Sequence, residues 1–340
     1  MNGIRTIKVW MWTGMVMIFF QIILGGITRL TGSGLSITKW DIITGILPPL
    51  NDLEWDSQFD LYKQTPQYQK INQGMSLGEF KMIFFWEYLH RLWARSMGFV
   101  FFIPFVFFWI KGWLYSSLKK DLLIVFFLAG LVGFFGWIMV TSGLVERPWV
   151  NAYKLSIHLG LALITMGYLL FVIFKHSSIS LFPVRLGKWP LFLFYLVCIQ
   201  ILLGGMMSGM KAALVYPSFP MMNQFFIDPI IFDLDYWKLD SFIQYDKSAF
   251  LPALVQFFHR LTAFSILFLF LYMNKGSFTN FWVRSLAVVI LIQISLGITT
   301  LILAKGGIPV FWGVAHQAFG IICLLLSLKW VIDNRLSHTS

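Results

Sequence analysis

Long apolar segments alternate with polar connections along nearly the whole chain. About 20 predominantly apolar residues are enough to cross a bilayer as an α-helix. Eight segments meet this criterion, at residues 9–27, 82–110, 122–141, 150–174, 190–210, 251–273, 281–304 and 309–332. Two polar stretches, at residues 28–81 and 211–250, are much longer than the other connections. The pattern predicts an all-α integral membrane protein with eight transmembrane helices.

The basic residues of the short connections predict the orientation of these helices. If the segments cross the membrane alternately, one side holds Arg5, Lys8, Lys111, Lys119, Lys120, Lys175, Arg185, Lys188, Lys275, Arg284 and Arg335. An excess of Lys and Arg marks cytoplasmic connections. Both termini are therefore predicted to be cytoplasmic, and both long polar stretches external. The first apolar run is too long for a signal-peptide core and does not look like a transit peptide, which favours a bacterial inner membrane.

Composition excludes several other classes of protein. The chain is 58% hydrophobic and only 12% charged, whereas soluble domains are about 25% charged. Its net charge of +11 does not indicate nucleic-acid binding, because the basic residues lie between apolar segments rather than on one polar face. Cys198 and Cys323 both lie inside apolar runs, so no thiolate metal site or redox pair is predicted.

The two halves of the chain repeat each other. QIILGG at residues 21–26 returns as QILLGG at 200–205, HRL at 90–92 returns at 259–261, and His158 is matched by His316. Because each unit has an even number of segments, both copies enter the membrane in the same direction, as parallel repeats do. The prediction is two tandem, pseudo-twofold-related four-helix bundles, at residues 1–180 and 181–340.

Four of the six histidines lie in the even-numbered apolar segments. They are His90, His158, His259 and His316, each seven or eight residues from the predicted outer end of its segment. At 1.5 Å per residue this is a common depth of about 12 Å. The second and fourth helices of an up-down-up-down bundle lie diagonally opposite, so their histidines can face each other across the bundle. Two facing imidazoles are what a haem iron with two axial ligands requires. The simpler alternative is interhelical hydrogen bonding. Zinc fits less well because no third ligand recurs.

Small and basic residues near these histidines also fit a haem. Gly25, Gly26, Gly204 and Gly205 leave room for a flat macrocycle between helices. Arg91, Arg95 and Arg260 are predicted to bind the haem propionates, because guanidinium groups bind carboxylates well. The alternative for these arginines is snorkelling to the membrane interface.

One carboxylate distinguishes the halves. Glu87 precedes His90 by one helical turn, whereas the repeat places Gln256 at the equivalent position before His259. A carboxylate near the porphyrin rim can stabilise developing positive charge or accept a proton. Glu87 is therefore the predicted catalytic residue, with chemistry in the N-terminal half. The alternative is an ion pair between Glu87 and Arg91 or Arg95.

Several motifs carry a resemblance to a known family. They are 25–36 (GGITRLTGSGLS), 48–49 (PP), 79–81 (EFK), 87–91 (EYLHR), 142–144 (SGL), 147–149 (RPW), 256–260 (QFFHR) and 316–317 (HQ). Over nearly its full length the chain resembles haem A synthases, most of all the alphaproteobacterial and mitochondrial branch. It departs from some bacterial members in lacking a cysteine pair in the first external stretch. It also has YPSFPM at 216–221, where Tyr-Asn-Thr-Phe-Pro is usual.

The resemblance implies a membrane enzyme that oxidises the C8 methyl group of haem O to the formyl group of haem A. It implies that His90 and His158 flank the substrate haem, that His259 and His316 hold a resident haem b, and that Glu87 matches the family's essential glutamate.

The resemblance also predicts partners: haem O, haem O synthase, cytochrome oxidase assembly factors, an electron donor and the lipid bilayer, with no nucleic acid. Two alternative functions use the same histidines. One is a di-haem b-type membrane electron-transfer cytochrome, and the other is a haem-binding transporter or chaperone.

Overall fold

The computed structural model describes residues 2–39, 46–144, 147–177, 187–275 and 281–336. The regular secondary structure of these residues is helical, and they contain no β-strand. Eight of its helices are long and apolar enough to cross a membrane. These are α1 (Asn2–Leu30), α4 (Leu77–Ile110), α5 (Ser116–Gly143), α6 (Ala152–Lys175), α7 (Trp189–Gly209), α10 (Phe250–Asn274), α11 (Phe281–Ile302) and α12 (Val310–Leu336). The prediction of an all-α protein with eight transmembrane helices is confirmed.

Helix α4 begins five residues before its predicted apolar segment. The cause is a capping box, in which the Glu79 backbone N–H donates to Ser76 Oγ and the Ser76 backbone N–H donates to Glu79 Oε2. The resulting helix has 34 residues, and at 1.5 Å per residue it is about 51 Å long. This exceeds a hydrocarbon core of about 30 Å, so its first turns extend beyond the membrane.

The chain divides into two compact units, Met1–Ile173 and Phe174–Ser340, called unit 1 and unit 2 below. In unit 2, α10 and α12 each pack against both α7 and α11. This places α10 and α12 diagonally opposite, as two histidine-bearing helices must be to face each other. In unit 1, α4 packs against α1, and the Phe101 and Phe105 rings of α4 contact Phe126 of α5. The predicted boundary between residues 180 and 181 lies outside the described residues, and the pseudo-twofold relation stays a prediction.

In each unit the long connection packs against the first turns of the first histidine-bearing helix. In unit 1, α2 (Asp52–Lys63) and α3 (Pro66–Lys70) lie against the start of α4. Phe59 and Tyr62 of α2 form an aromatic cluster with Phe80 and Phe84 of α4, and burial raises the pKa of Tyr62. In unit 2, four short helices precede α10: α8 (Ala212–Val215), two 3-10 helices (Pro229–Phe232 and Leu234–Tyr236) and α9 (Leu239–Ile243). The ring of Tyr236 stacks on the ring of Phe250, the first residue of α10. Both connections are therefore packed against a helix that carries a histidine.

Candidate functional site

Each of the four membrane histidines packs against a glycine of the preceding membrane helix. A Cβ atom added to Gly25 would lie 3.3 Å from His90 Nε2. The corresponding distances to Cε1 of the facing ring are 2.9 Å for Gly136 and His158, 3.4 Å for Gly204 and His259, and 2.8 Å for Gly297 and His316. A side chain at Gly136 or Gly297 would therefore force the histidine ring to move, whereas Gly25 and Gly204 leave slightly more room. Each glycine lies five to seven residues before the end of its helix, so the four contacts form at similar levels.

The missing side chain also lets the imidazole approach the carbonyl one turn earlier in the glycine's helix. His316 Nδ1 lies 3.0 Å from the carbonyl oxygen of Gln293, four residues before Gly297. An Nδ1–H that donates to a carbonyl fixes the ring and leaves Nε2 to bind a metal. The backbones of Val132 and Gln200 face His158 and His259 in the same way, although the geometry falls short of a hydrogen bond.

The two histidines of unit 2 have the spacing that a shared haem requires. The ring centroids of His259 and His316 are 6.3 Å apart. Two imidazoles bound to opposite sides of one iron, with metal–nitrogen bonds of about 2 Å, have centroids about 6 Å apart. In unit 1, His90 packs against Gly25 and His158 against Gly136. The paired imidazoles and the bare glycine faces fit a flat, doubly ligated tetrapyrrole.

Glu87 is buried, with 2% of its surface exposed, and both of its carboxylate oxygens are hydrogen-bonded. Oε2 accepts from the backbone N–H groups of Ser36 (2.7 Å) and Ile37 (2.9 Å) and from Ser36 Oγ (2.8 Å). Oε1 pairs with Arg91 Nη2 at 2.6 Å, as the alternative in the sequence analysis expected. Arg91 also donates to the carbonyls of Ile37 and Lys39. The Glu87–Arg91 pair therefore ties the connection after α1 to α4.

The equivalent residues of unit 2 make the same kind of attachment without the negative charge. Gln256 Nε2 donates to the carbonyl of Tyr216 at 3.1 Å. The Arg260 guanidinium donates to the carbonyls of Ser218, Pro220 and Met221. Burial and a hydrogen bond with Asp228 raise the pKa of Tyr216. The predicted propionate ligand Arg260 thus holds the long connection before α10 in place.

Arg91 and Arg95 line a cavity of about 560 Å³ in unit 1. The other lining residues are Ile37, Lys39, Leu47, Pro48, Pro49, Leu50, Leu53, Glu54, Ser57, Gln58, Phe84 and Tyr88. On α4 the two arginines lie about 100° and 140° around the helix from His90, at 3.6 residues per turn. The structure therefore brings the arginines together with Lys39, on a different face of α4 from the histidine.

Several residues of the site were not predicted. Gly136 and Gly297 contact histidines, whereas only the glycines of the first and fifth segments were singled out. A usable signal was present for Gly297, because Gln-x-x-x-Gly occurs at residues 21–25, 200–204 and 293–297, whereas Val132 stands at the equivalent position before Gly136. Ser36 and Ile37, the loop partners of Glu87, had no signal of their own beyond lying in the motif at 25–36.

Comparison with known proteins gives a consistent result. A family model described as "Cytochrome oxidase assembly protein" matches residues 8–328. A protein of Pelagibacter ubique named "Heme A synthase" is 40% identical over 330 residues, which covers 95% of each chain. A "Heme A synthase" of Nitrosomonas eutropha is 37% identical over 347 residues, covering 96% of this chain and 92% of the relative. One of Brucella anthropi is 37% identical over 336 residues, covering 95% and 90%.

Proposed function

Because this chain belongs to the haem A synthase family, we propose that it oxidises the C8 methyl group of haem O to the formyl group of haem A. The chain is a multi-pass membrane enzyme that acts in haem A formation. The observation that best supports this function is the set of four histidine–glycine contacts. They supply two pairs of imidazoles in a chain that needs one haem to be oxidised and a second to carry electrons.

Each unit is assigned one of these haems. His90 and His158 hold the substrate haem in unit 1, and His259 and His316 hold haem b in unit 2. When bound, haem b would supply a one-electron redox centre. The glycines let each ring approach the facing helix, and the Gln293 carbonyl holds Nδ1 of His316 so that Nε2 faces the iron.

Glu87 is proposed to act one turn from the substrate ligand His90. Its contacts favour a positioning role, since its carboxylate holds the Ser36–Ile37 segment and Arg91 in fixed places. A group that removes a proton must reach that proton within hydrogen-bonding distance. The proposal that Glu87 is itself a catalytic base stays a prediction, and the activities of Glu87→Gln and Ser36→Ala distinguish the two roles.

The arginine-lined cavity is proposed to receive the carboxylates of haem O. Arg95, Arg91 and Lys39 place three cations around a space that also has apolar walls from Leu47 to Leu53. This combination suits an amphiphile that carries carboxylates on one edge. The propionate assignment of Arg260 also stays a prediction, since its observed bonds are with loop carbonyls.

The cellular setting is proposed from the distribution of charge and the family. The Lys and Arg of the short connections support a bacterial inner-membrane protein with both termini in the cytoplasm. Haem O synthase would provide the substrate, and assembly factors of cytochrome oxidase would take the product. An electron donor completes the set of partners.

Conversion of haem O in living cells tests the function. The full chain is expressed in a bacterial host that makes haem O but no haem A, and the extracted haems are separated by chromatography. Haem A is expected with the wild-type chain and not with His90→Ala. Haem O alone with the wild-type chain, at normal protein levels, would overturn the proposal.

A further inference from the structure

The long connection before α10 exposes a concentration of apolar side chains. Sixteen residues between positions 223 and 247 are exposed. Seven of them are large and apolar: Phe225, Phe226, Phe232, Leu234, Trp237, Leu239 and Ile243. Leu234 is 82% exposed and Leu239 75%. Apolar residues that cluster at a surface, unlike single scattered ones, mark interaction sites. The exposed residues of 223–247 are called the connection face below.

Carboxylates are interspersed with these apolar side chains. Asp233, Asp235, Asp240 and Asp246 are all exposed. The stretch 223–247 contains five aspartates and two lysines, so its net charge is −3 in a chain whose net charge is +11. Lys238 lies 3.5 Å from Asp235, but both side chains are exposed and such a pair is weak. The connection face therefore has the charge that matches a basic partner.

The backbone beneath the connection face is fixed by aromatic packing. Trp237 Nε1 donates to the carbonyl of Ile231 at 2.9 Å. The rings of Tyr236, Trp237 and Phe242 all contact the ring of Phe250. Phe250 is the first residue of α10 and is completely buried. A surface that is already held in shape loses less conformational freedom when a partner binds.

The connection face lies at the end of unit 2 that is closer to His259. Helix α10 begins nine residues before His259, which is about 14 Å along the helix axis. Helix α7 ends at Gly209, five residues and about 8 Å beyond Gly204, which contacts His259. The start of α10 therefore extends past the end of α7, and the connection covers it, since the seven residues from Phe250 to Gln256 are all buried.

Two simpler occupants of the connection face fit poorly. If Phe232 and Leu234 entered the bilayer, the intervening Asp233 and the following Asp235 would be drawn toward hydrocarbon, where carboxylates are strongly disfavoured. A second copy of the chain related by a twofold axis would present the same acidic surface, so like charges would face each other. A different protein with a basic surface satisfies both the charge and the apolar side chains.

We propose that the connection face is the docking site of the electron-transfer protein that serves haem b, and that this partner has a basic rim around an apolar centre. This inference rests on the proposed function, which assigns haem b to unit 2 and requires an electron donor. In each encounter one electron passes from the reduced centre of the partner to ferric haem b, which oxidises the partner and reduces the haem. A face of sixteen exposed residues is smaller than the roughly 20–30 of a standard interface, as is usual for short-lived electron-transfer complexes.

The experiment uses cytochrome c, a soluble and basic electron-transfer protein, as the probe. The purified full-length protein in neutral detergent is reduced and mixed rapidly, without oxygen, with ferric cytochrome c. The same docking is then measured in the reverse direction, through the oxidation of haem b seen in its absorption. Binding of cytochrome c to the immobilised chain is measured separately, because that signal does not depend on the haem.

Two triple variants with the same change of charge are compared. The first carries Asp233→Asn, Asp235→Asn and Asp240→Asn in the connection face. The matched control carries Asp52→Asn, Asp56→Asn and Asp60→Asn, which are exposed residues of the connection in unit 1. Asparagine preserves the helix caps, because its side-chain oxygen also accepts from backbone N–H groups. A third variant, Leu234→Ser with Leu239→Ser, tests the apolar side chains.

Both binding and electron transfer with the wild type should weaken as the ionic strength rises, as in electrostatically steered association. At low ionic strength the first triple variant should react about fivefold more slowly and depend less on salt, while the control matches the wild type. The double serine variant should bind more weakly at every salt concentration, because apolar contacts are not screened.

The inference is overturned if the two triple variants react and bind alike, or if the wild type shows no dependence on salt. A change of oligomeric state in the double serine variant would assign the face to contacts between copies instead. Loss of the salt-dependent reaction after transfer into lipid nanodiscs would assign it to the bilayer. Failure of the proposed function would look different, since haem b would be absent from the wild type or would survive in His259→Ala.

Discussion

Replacing Glu87 by glutamine is the most informative single change, because it makes unit 1 resemble unit 2. Glutamine keeps one oxygen that can accept from the backbone N–H groups of Ser36 and Ile37. Its amide NH₂ would then face the Arg91 guanidinium, where Glu87 Oε1 now lies at 2.6 Å. The variant therefore loses the ion pair and places two donors against each other, while the shape of the side chain is preserved.

The size of the effect follows from the burial of this pair. The side chains of Glu87 and Arg91 are 3% and 11% exposed. Removing one partner of a buried ion pair costs about 3–5 kcal/mol. Because Arg91 keeps its bonds to two loop carbonyls, we take the lower end, about 3 kcal/mol. If the reaction requires the arrangement that this pair holds, the same free energy is lost from the reactive state, and haem A formation falls roughly a hundredfold at about 1.4 kcal/mol per factor of ten.

The assay is the ratio of haem A to haem O in membranes of a haem O-producing host, measured by chromatography and normalised to protein. Haem b should be retained, since Glu87 lies in unit 1. Glu79→Gln is the matched control, because that residue is exposed on the same helix and glutamine also completes a capping box. A fall of less than about tenfold for Glu87→Gln would refute the reasoning from the buried pair.

Ser36→Ala separates a positioning role of Glu87 from a catalytic base. The Ser36 hydroxyl donates to Glu87 Oε2 at 2.8 Å, and the backbone N–H bonds survive the change. A hydrogen bond to a charged group contributes about 1.5–3 kcal/mol, so positioning predicts at least about a tenfold loss. If the carboxylate acts as a base, removing a competing donor should not lower the rate.

Four further predictions test other parts of the site. Gly297→Ala places a methyl group 2.8 Å from the ring of His316 and should remove low-spin haem b. Gly204→Ala places its methyl group 3.4 Å from the ring of His259 and should keep most of the haem b. Absorption spectra of the purified variants check this order. Gly136→Ala, at 2.9 Å, should abolish haem A formation and leave the haem b spectrum intact. Arg95→Gln should lower the ratio of haem O to haem b after purification by about tenfold, through loss of one charge-assisted bond. A reporter active only in the periplasm should be silent when fused after Ser340, and activity there would contradict the proposed orientation.

The membrane helices could be predicted because one local property, apolar length, determines them. The same criterion misplaced the start of α4, since it takes no account of capping. The Ser76–Glu79 pattern is nevertheless visible in the sequence as S-x-x-E, and it explains the five additional residues. The four histidines could be singled out because charged and polar groups are rare at membrane depth.

The contacts within the site could not be predicted from local pattern. Glu87 binds Ser36, 51 residues earlier, and this contact depends on how a long connection folds back onto α4. Gly136 is one of three closely spaced glycines on α5, and Cβ atoms at the other two, Gly130 and Gly133, would meet nothing within 4 Å. Only the packing of α5 against α6 shows which glycine faces the histidine.

The haem content of the purified protein tests the central claim most directly. The claim is that His90 and His158 hold the substrate while His259 and His316 hold haem b. The wild-type protein should release haem b together with haem O, haem A or the intermediate alcohol, and His259→Ala should lose haem b alone. Haem b in both sites would instead identify an electron-transfer cytochrome, and haem that is lost on simple dilution would identify a carrier.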